Sequence, residues 1–271
     1  MQPSDIAGTD AAGAHAHRLS TATAGTPRAV LGQPLISCAG AGRTFGARGR
    51  PVVALYDTTC TIVADDRIAI TGPSGSGKST LLHLLAGLEE PTVGTVTWPA
   101  LDRRPHDPGH VGLVFQAPTL IPSLTVAENV RLPLLLAGHT TATATARAAA
   151  ALDLLQLEPL GLDLPQQLSG GQAQRVVIAR VLASQPLAIL ADEPTSQLDR
   201  ATADHVMDVL LQAADEAGAA LVVATHDQSV AGRMAQNWPI SDGRLLADEP
   251  VPSLTRPRPT AFGLDDWRTG S

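Results

Sequence analysis

Gly72-Pro73-Ser74-Gly75-Ser76-Gly77-Lys78-Ser79-Thr80 is the stretch on which the reading of this chain turns. It matches G-x-x-x-x-G-K-[ST], a glycine-rich loop that wraps a polyphosphate when a strand precedes it and a helix follows. Both flanks are present. Ile68-Ala69-Ile70-Thr71 is a short β-branched run that reads as a buried strand. Thr80-Leu81-Leu82-His83-Leu84-Leu85-Ala86-Gly87 reads as an apolar helix closed by glycine. Strand, loop and helix aim backbone N–H groups and a helix N-terminus at one point, where the triphosphate of a nucleotide is favoured. Gly75 and Gly77 let the backbone approach the phosphates, Lys78 has the reach for the β- and γ-phosphates, and the Ser79 hydroxyl suits Mg²⁺.

Two further segments extend this reading. Leu187-Ala188-Ile189-Leu190 is an apolar run bounded by turn chemistry, and predicts a central strand with both faces buried. It delivers Asp192 and Glu193 to the carboxyl edge of the sheet, where open α/β sheets bind their ligands. Gln167-Leu168-Ser169-Gly170-Gly171-Gln172 precedes Ala173 to Leu182, whose apolar positions recur at helical spacing. Ser169 is a good N-cap, and the two glycines open a second helix N-terminus to an anion.

In this order and spacing the three segments resemble the nucleotide-binding subunit of an ATP-binding cassette (ABC) transporter. Thr119 to Gly138, together with Gly72 to Leu88, is most similar to the lipoprotein-release and macrolide-export branch. The resemblance implies an α/β fold: a P-loop NTPase cassette with a RecA-like core, an antiparallel β-subdomain and an α-helical subdomain. It implies that Gly72, Pro73, Ser74, Gly75, Ser76, Gly77, Lys78, Ser79 and Thr80 bind ATP, that Asp192 holds Mg²⁺ through water, and that Glu193 polarises the attacking water. Ser169, Gly170, Gly171 and Gln172 would bind the γ-phosphate held by a second cassette, so hydrolysis requires a dimer, expected to be a homodimer.

The smaller pieces fall in the family's order. Gln116 follows Val111-Gly112-Leu113-Val114-Phe115 and resembles the glutamine that contacts Mg²⁺ and water. Asp199 closes Ser196-Gln197-Leu198-Asp199, which resembles the loop crossing the dimer interface. His226, after Leu221-Val222-Val223-Ala224-Thr225, resembles the histidine that contacts the γ-phosphate. Phe45 stands where the family usually has the tyrosine that stacks on adenine; a ring face is all that stacking needs, although a core phenylalanine is the plainer alternative. The resemblance thus places catalysis on Glu193, His226, Gln116 and Lys78, and Mg²⁺ on Ser79, Gln116 and Asp192.

Composition bounds the rest. The 271 residues suit one α/β domain with tails. At 44% hydrophobic but only 3% aromatic, the chain must pack its core with Ala, Leu and Val. The formal charge of −7 argues against a dedicated nucleic-acid surface. Cys38 and Cys60 suggest a reducing compartment, each as a buried inert thiol in a strand. No segment has the length of apolar sequence that crosses a bilayer, and residues 1–30 lack the core of a secretory signal, so a cytoplasmic chain is expected. The family resemblance implies that an integral-membrane permease subunit holds it at the inner face of the cell membrane.

The cassette is expected over 35–247, with the helical subdomain at about 117–170. Residues 1–34 read as a disordered tail, in which His15 and His17 are solvated, and 248–271 as a proline-rich tail. Thr140 to Thr145 alternates Thr and Ala and reads as a loop before an alanine-rich helix starting near Arg147. Pro91 to Gly109 is shorter than the family's usual segment and broken by prolines, which trims the β-subdomain. The resulting function is ATP hydrolysis coupled, through dimerisation, to a membrane subunit in export or mechanotransmission. The alternatives are an ATPase that regulates a cell-envelope process without transport, and a soluble non-transport cassette.

Overall fold

The computed structural model describes residues 33–246, apart from 47–49, 102–104, 106 and 108. The two tails therefore lie outside the described residues except at Gln33 and Pro34; Pro34 already begins the first strand. His15, His17 and Pro108 are likewise outside them.

Two sheets divide the work. The first is antiparallel: β1 (Pro34–Phe45) is flanked by β2 (Val52–Val63) and β4 (Val93–Thr97). Cys38 and Cys60 face each other across β1 and β2 as free thiols. Between β4 and β5 (Val111–Val114) the described residues contain no other strand, consistent with the short proline-broken segment.

The second sheet contains β3 (Arg67–Thr71), β6 (Ala188–Asp192), β7 (Ala220–Thr225), β8 (Gln236–Ser241) and β9 (Arg244–Leu245). Its order is β5-β6-β7-β3-β8-β9, parallel except for the β8–β9 pair. β3, β6 and β7 are buried along their whole length, as short runs of Ala, Ile, Leu and Val predict for a sheet covered on both faces. Alternation assigns the two faces. Ile189, Ala191, Leu221 and Val223 join one core, while Ala188, Leu190, Val222 and Ala224 join the other.

On the second of these faces lies α1 (Lys78–Leu85), whose Leu81, Leu82, Leu84 and Leu85 are fully buried among β1, β2 and the central sheet. The helix starts two residues before the predicted Thr80, directly out of the phosphate loop. Trp98, just after β4, donates from Nε1 to the carbonyl of Leu85 and so ties the antiparallel sheet to the end of α1. One of the few aromatic residues thus sits at the junction of the two sheets.

The other face carries the helices α2 (Val126–Leu136), α3 (Thr141–Leu154), α4 (Gly170–Ala183) and α5 (Arg200–Ala217). The sequence reading of Thr140 to Thr145 as a loop is corrected here: Thr140 is the N-cap of α3, and its hydroxyl accepts from the Thr143 amide. Alanine has high helix propensity, and Ala144 faces inward with Ala148 and Ala151 further along, so the Thr-Ala run forms the first turns of the helix. Asn129 of α2 is buried. Its amide accepts from Ile121 N and donates to the carbonyls of Ile121, Leu124 and Thr125, fixing the loop before the helix. Among the described residues no helix is long and apolar enough to cross a membrane.

Candidate active site

The loop from Gly72 to Gly77 joins β3 to α1 in a conformation that only glycine fits at two points. At Gly72, φ is +151°, and a Cβ would lie 2.2 Å from the Ile240 carbonyl oxygen. At Gly77, the N-cap of α1, φ is +109°, and a Cβ would lie 2.5 Å from the Ala54 carbonyl oxygen. The loop is therefore pressed between β8 and β2. Lys78 turns back and donates from Nζ to the carbonyls of Gly72 (2.9 Å) and Pro73 (3.0 Å). This holds the ammonium beside the loop's own amides.

Parallel register brings the other predicted groups to the same edge. Gln116 follows β5, Asp192 ends β6, Glu193 comes next, and His226 follows β7. Together with Ser74, Gly75, Gly77, Lys78, Ser79 and Thr80 they line one cleft, to which β2 adds Ala54. No feature of the sequence pointed to Ala54, because an alanine in a strand has no chemistry to read.

Within the cleft the two carboxylates differ. Asp192 is 3% exposed, and this burial pushes its pKa up against the smaller opposing effect of the Ser79 hydroxyl. Its Oδ1 is buried with no hydrogen-bond partner. A buried carboxylate oxygen awaiting a partner, a serine hydroxyl and the Gln116 amide oxygen form a donor set of hard oxygens, which fits Mg²⁺. Glu193 occupies the left-handed region at φ +46°, uncommon for a side chain of its size. Its amide donates to Ala224 O, and its own carbonyl accepts from Ser196 N and Oγ, which fix the backbone in that conformation. Its carboxylate accepts from His226 Nδ1 at 2.8 Å. His226 is mostly exposed and Glu193 buried, so the histidine forms the outer wall of the pair.

Other predicted residues lie away from this cleft. Phe45, at the end of β1, is exposed and so is not a core side chain. The Arg43 guanidinium lies over its ring, 4.7 Å from the centroid, held by the Glu89 carboxylate and the Glu90 carbonyl. Ser76 and Pro73 belong to the loop but not to the cleft wall; Ser76 is buried against Gly72. Ser169 is the N-cap of α4 in a capping box with Gln172: its hydroxyl accepts from Gln172 N, and the Gln172 side chain accepts from Ser169 N. Gly170 is exposed at that end, and Gly171 has Leu198 beside it. Asp199 is the N-cap of α5, accepting from Thr202 N and Oγ1. Ser169, Gly170 and Asp199 are exposed, and none of these residues lines the cleft that holds Lys78 and Glu193.

A phosphate loop at the carboxyl edge of a parallel sheet, two carboxylates at the end of β6 and a capped glycine turn opening α4 define a nucleotide-binding cassette. A family profile described as ABC transporter matches residues 55–196. The lipoprotein-releasing system ATP-binding protein LolD of Legionella pneumophila (strain Paris) is 45% identical over 206 residues, covering 73% of this chain and 91% of that protein. The uncharacterized ABC transporter ATP-binding protein Rv0986 of Mycobacterium tuberculosis is 37% identical over 241 residues, covering 83% and 97%. Among solved structures, the ATP-binding cassette MJ0796, as a dimer in a post-hydrolysis state with ADP and Pi, matches with a TM-score of 0.74 at 35% identity, covering 79% of this chain and 98% of that one. The chain belongs to the ABC transporter family and is an ATP-binding cassette ATPase.

Proposed function

We propose that this chain is the ATPase subunit of a lipoprotein-release type ABC system, peripheral on the cytoplasmic face of the membrane through a separate integral-membrane subunit. The observation that carries the reading is the Glu193–His226 pair, joined at 2.8 Å in one cleft with Lys78 and Ser79 of the phosphate loop. The similarity to LolD, a protein named for a lipoprotein-releasing system, supports the choice of branch. That similarity supports export or mechanotransmission by the membrane subunit as the work that ATP drives.

The chemistry divides among the chain's own groups. The loop amides and Lys78 hold the β- and γ-phosphates, exchanging the carbonyls of Gly72 and Pro73 for phosphate oxygens as partners of the ammonium. Phe45 takes the adenine on its open face. Glu193, anchored on one oxygen by His226, uses the other to orient water and accept its proton. Ser79, Asp192 and Gln116 would hold Mg²⁺, which neutralises charge on the phosphates when bound. The capped N-terminus of α4, from Ser169 to Gln172, serves the γ-phosphate of a second copy, so two chains sandwich two nucleotides and Asp199 lies at their interface.

The test is a purified Glu193→Gln variant given Mg·ATP, then used to capture its companions from gently solubilised native membranes. The expected result is an ATP-dependent dimer that brings down a stoichiometric polytopic membrane protein. Recovery of ribosomes, DNA or soluble proteins alone overturns the membrane assignment while leaving the ATPase chemistry in place. Failure to dimerise with ATP overturns the sandwich.

A further inference from the structure

One helix holds the loop that carries Gln116. Gln174 of α4 is 1% exposed, and its Nε2 donates to the carbonyl of Phe115 at 3.1 Å, one residue before Gln116. Two turns further along the same helix, Arg180 donates to Thr119 O (2.7 Å) and to Thr119 Oγ1 (2.8 Å). Gln197, from the loop after β6, adds a longer contact from Nε2 to Gln116 O at 3.5 Å, and its Oε1 lies against Gly170 at the start of α4. The Gln116 segment is therefore tied on both sides to the helix whose N-terminus is Ser169.

Gln174 is a costly way to fill its position. Its neighbours Val176, Val177 and Ile178 are fully buried, and an apolar side chain would satisfy the same packing. The amide instead leaves its Oε1 buried without a partner. A buried polar group that forgoes one of its own bonds calls for a compensating role, and the bond it does make is to the Phe115 carbonyl.

We infer that Gln174 is a positioning residue that couples the two nucleotide sites of the dimer. This rests on the reading of Gln116 as a contact to the chain's own nucleotide and of Ser169 to Gln172 as a contact to the nucleotide of the second copy. Gln174 lies five residues inside α4 from Ser169, about 7.5 Å along the axis of a rigid rod. A shift of the Gln116 loop at one nucleotide is passed through Gln174 and Arg180 to the end of α4 that addresses the other. Coupling of this kind is carried by packed, hydrogen-bonded elements that move as a unit.

The experiment uses the full-length protein with Gln174→Met, which matches the glutamine in length and cannot donate. Expected are kcat lower by about tenfold, a Hill coefficient for ATP falling toward about 1, and unchanged equilibrium affinity for a fluorescent ATP analogue. A purely structural role would lower the melting temperature and leave the Hill coefficient alone. If Gln174→Met does not fold, Arg180→Met at the more accessible tie reads the same Hill coefficient, expected to fall in the same direction by less. Unchanged cooperativity in a folded variant overturns the inference. Gln116→Ala separates the layers: slowed turnover there with unaltered Gln174→Met sinks only the coupling, whereas full turnover by Gln116→Ala removes the reading on which it stands.

Discussion

His226 Nδ1 donates to Glu193 Oε1 across 2.8 Å, from positions just past the ends of β7 and β6, two adjacent parallel strands. Glu193 holds this place in the left-handed backbone region, so its carboxylate is aimed by the strand end, by Ser196 and by the histidine together. Glu193→Gln keeps an oxygen for Nδ1 and therefore keeps the geometry, but it loses the base. Turnover is expected to fall by about 10²–10⁴ while ATP binding persists, measured by single-turnover hydrolysis beside equilibrium nucleotide binding. His226→Ala removes the anchor and should likewise lower turnover while ATP binding persists. Rapid multiple turnover by Glu193→Gln takes that residue out of its role.

Asp192 gives a trade between stability and function. Burial raises its pKa, and a raised carboxylate pKa means that the folded state favours the proton. The ionised form at neutral pH then opposes folding, with its Oδ1 buried and unpartnered. Asp192→Asn removes the charge and is expected to raise Tm of the nucleotide-free protein by about 2–4 °C. The same variant should lose most of the additional stabilisation by Mg·ATP. Thermal melts with and without Mg·ATP check both halves; a lower Tm in the free variant overturns the assignment of strain to Asp192.

How much of this was legible in the sequence depends on what kind of physics fixed each part. Ile68 to Thr71 and Leu187 to Leu190 were readable as strands because their runs of Ile, Leu and Ala have no polar face, and Ser169 as a cap because hydroxyl and glycine have few other uses there. Glu193 and His226 were each readable, but not their mutual bond, which depends on β6 and β7 lying side by side. Thr140 to Thr145 misled because threonine is weak in helix interiors; the cap at Thr140 and burial of Ala144 outweigh that preference. Ala54, Gln174 and Arg180 act through distance contacts that no local pattern encodes.

Phe45 and Arg43 make a further case. With the guanidinium on one side of the ring, Phe45 has its other side for a base, and Glu89 holds the guanidinium in place. Phe45→Ala is expected to weaken ATP binding by about 1–3 kcal/mol, the scale of one base–aromatic stack, and Phe45→Tyr by little. Binding of inorganic tripolyphosphate should be equal in all three proteins, because the phosphate loop is untouched. Calorimetric titration with both ligands distinguishes the outcomes: equal losses for ATP and tripolyphosphate mean that Phe45 supports the loop and does not meet the base.

Acid should expose the helix caps. Glu128, Asp199 and Asp227 accept hydrogen bonds at the starts of α2, α5 and the short helix Gln228–Ala231, and those bonds hold their pKa values below the ordinary 4.5 for Glu and 3.8 for Asp. For a carboxylate with a lowered folded pKa, stability is present above the unfolded value and is lost as pH falls through the folded one. Asp66 and Asp192, raised by burial, act in the opposite sense over the same range, so the wild-type curve alone does not isolate the caps. The readout is a comparison with the triple variant Glu128→Gln, Asp199→Asn, Asp227→Asn. Its Tm should lie below wild type at about pH 6, and the gap should narrow as pH falls below about 4, where protonation begins to remove what the substitutions removed. A constant gap between the two proteins at every pH would mean that the caps act through shape and not through charge.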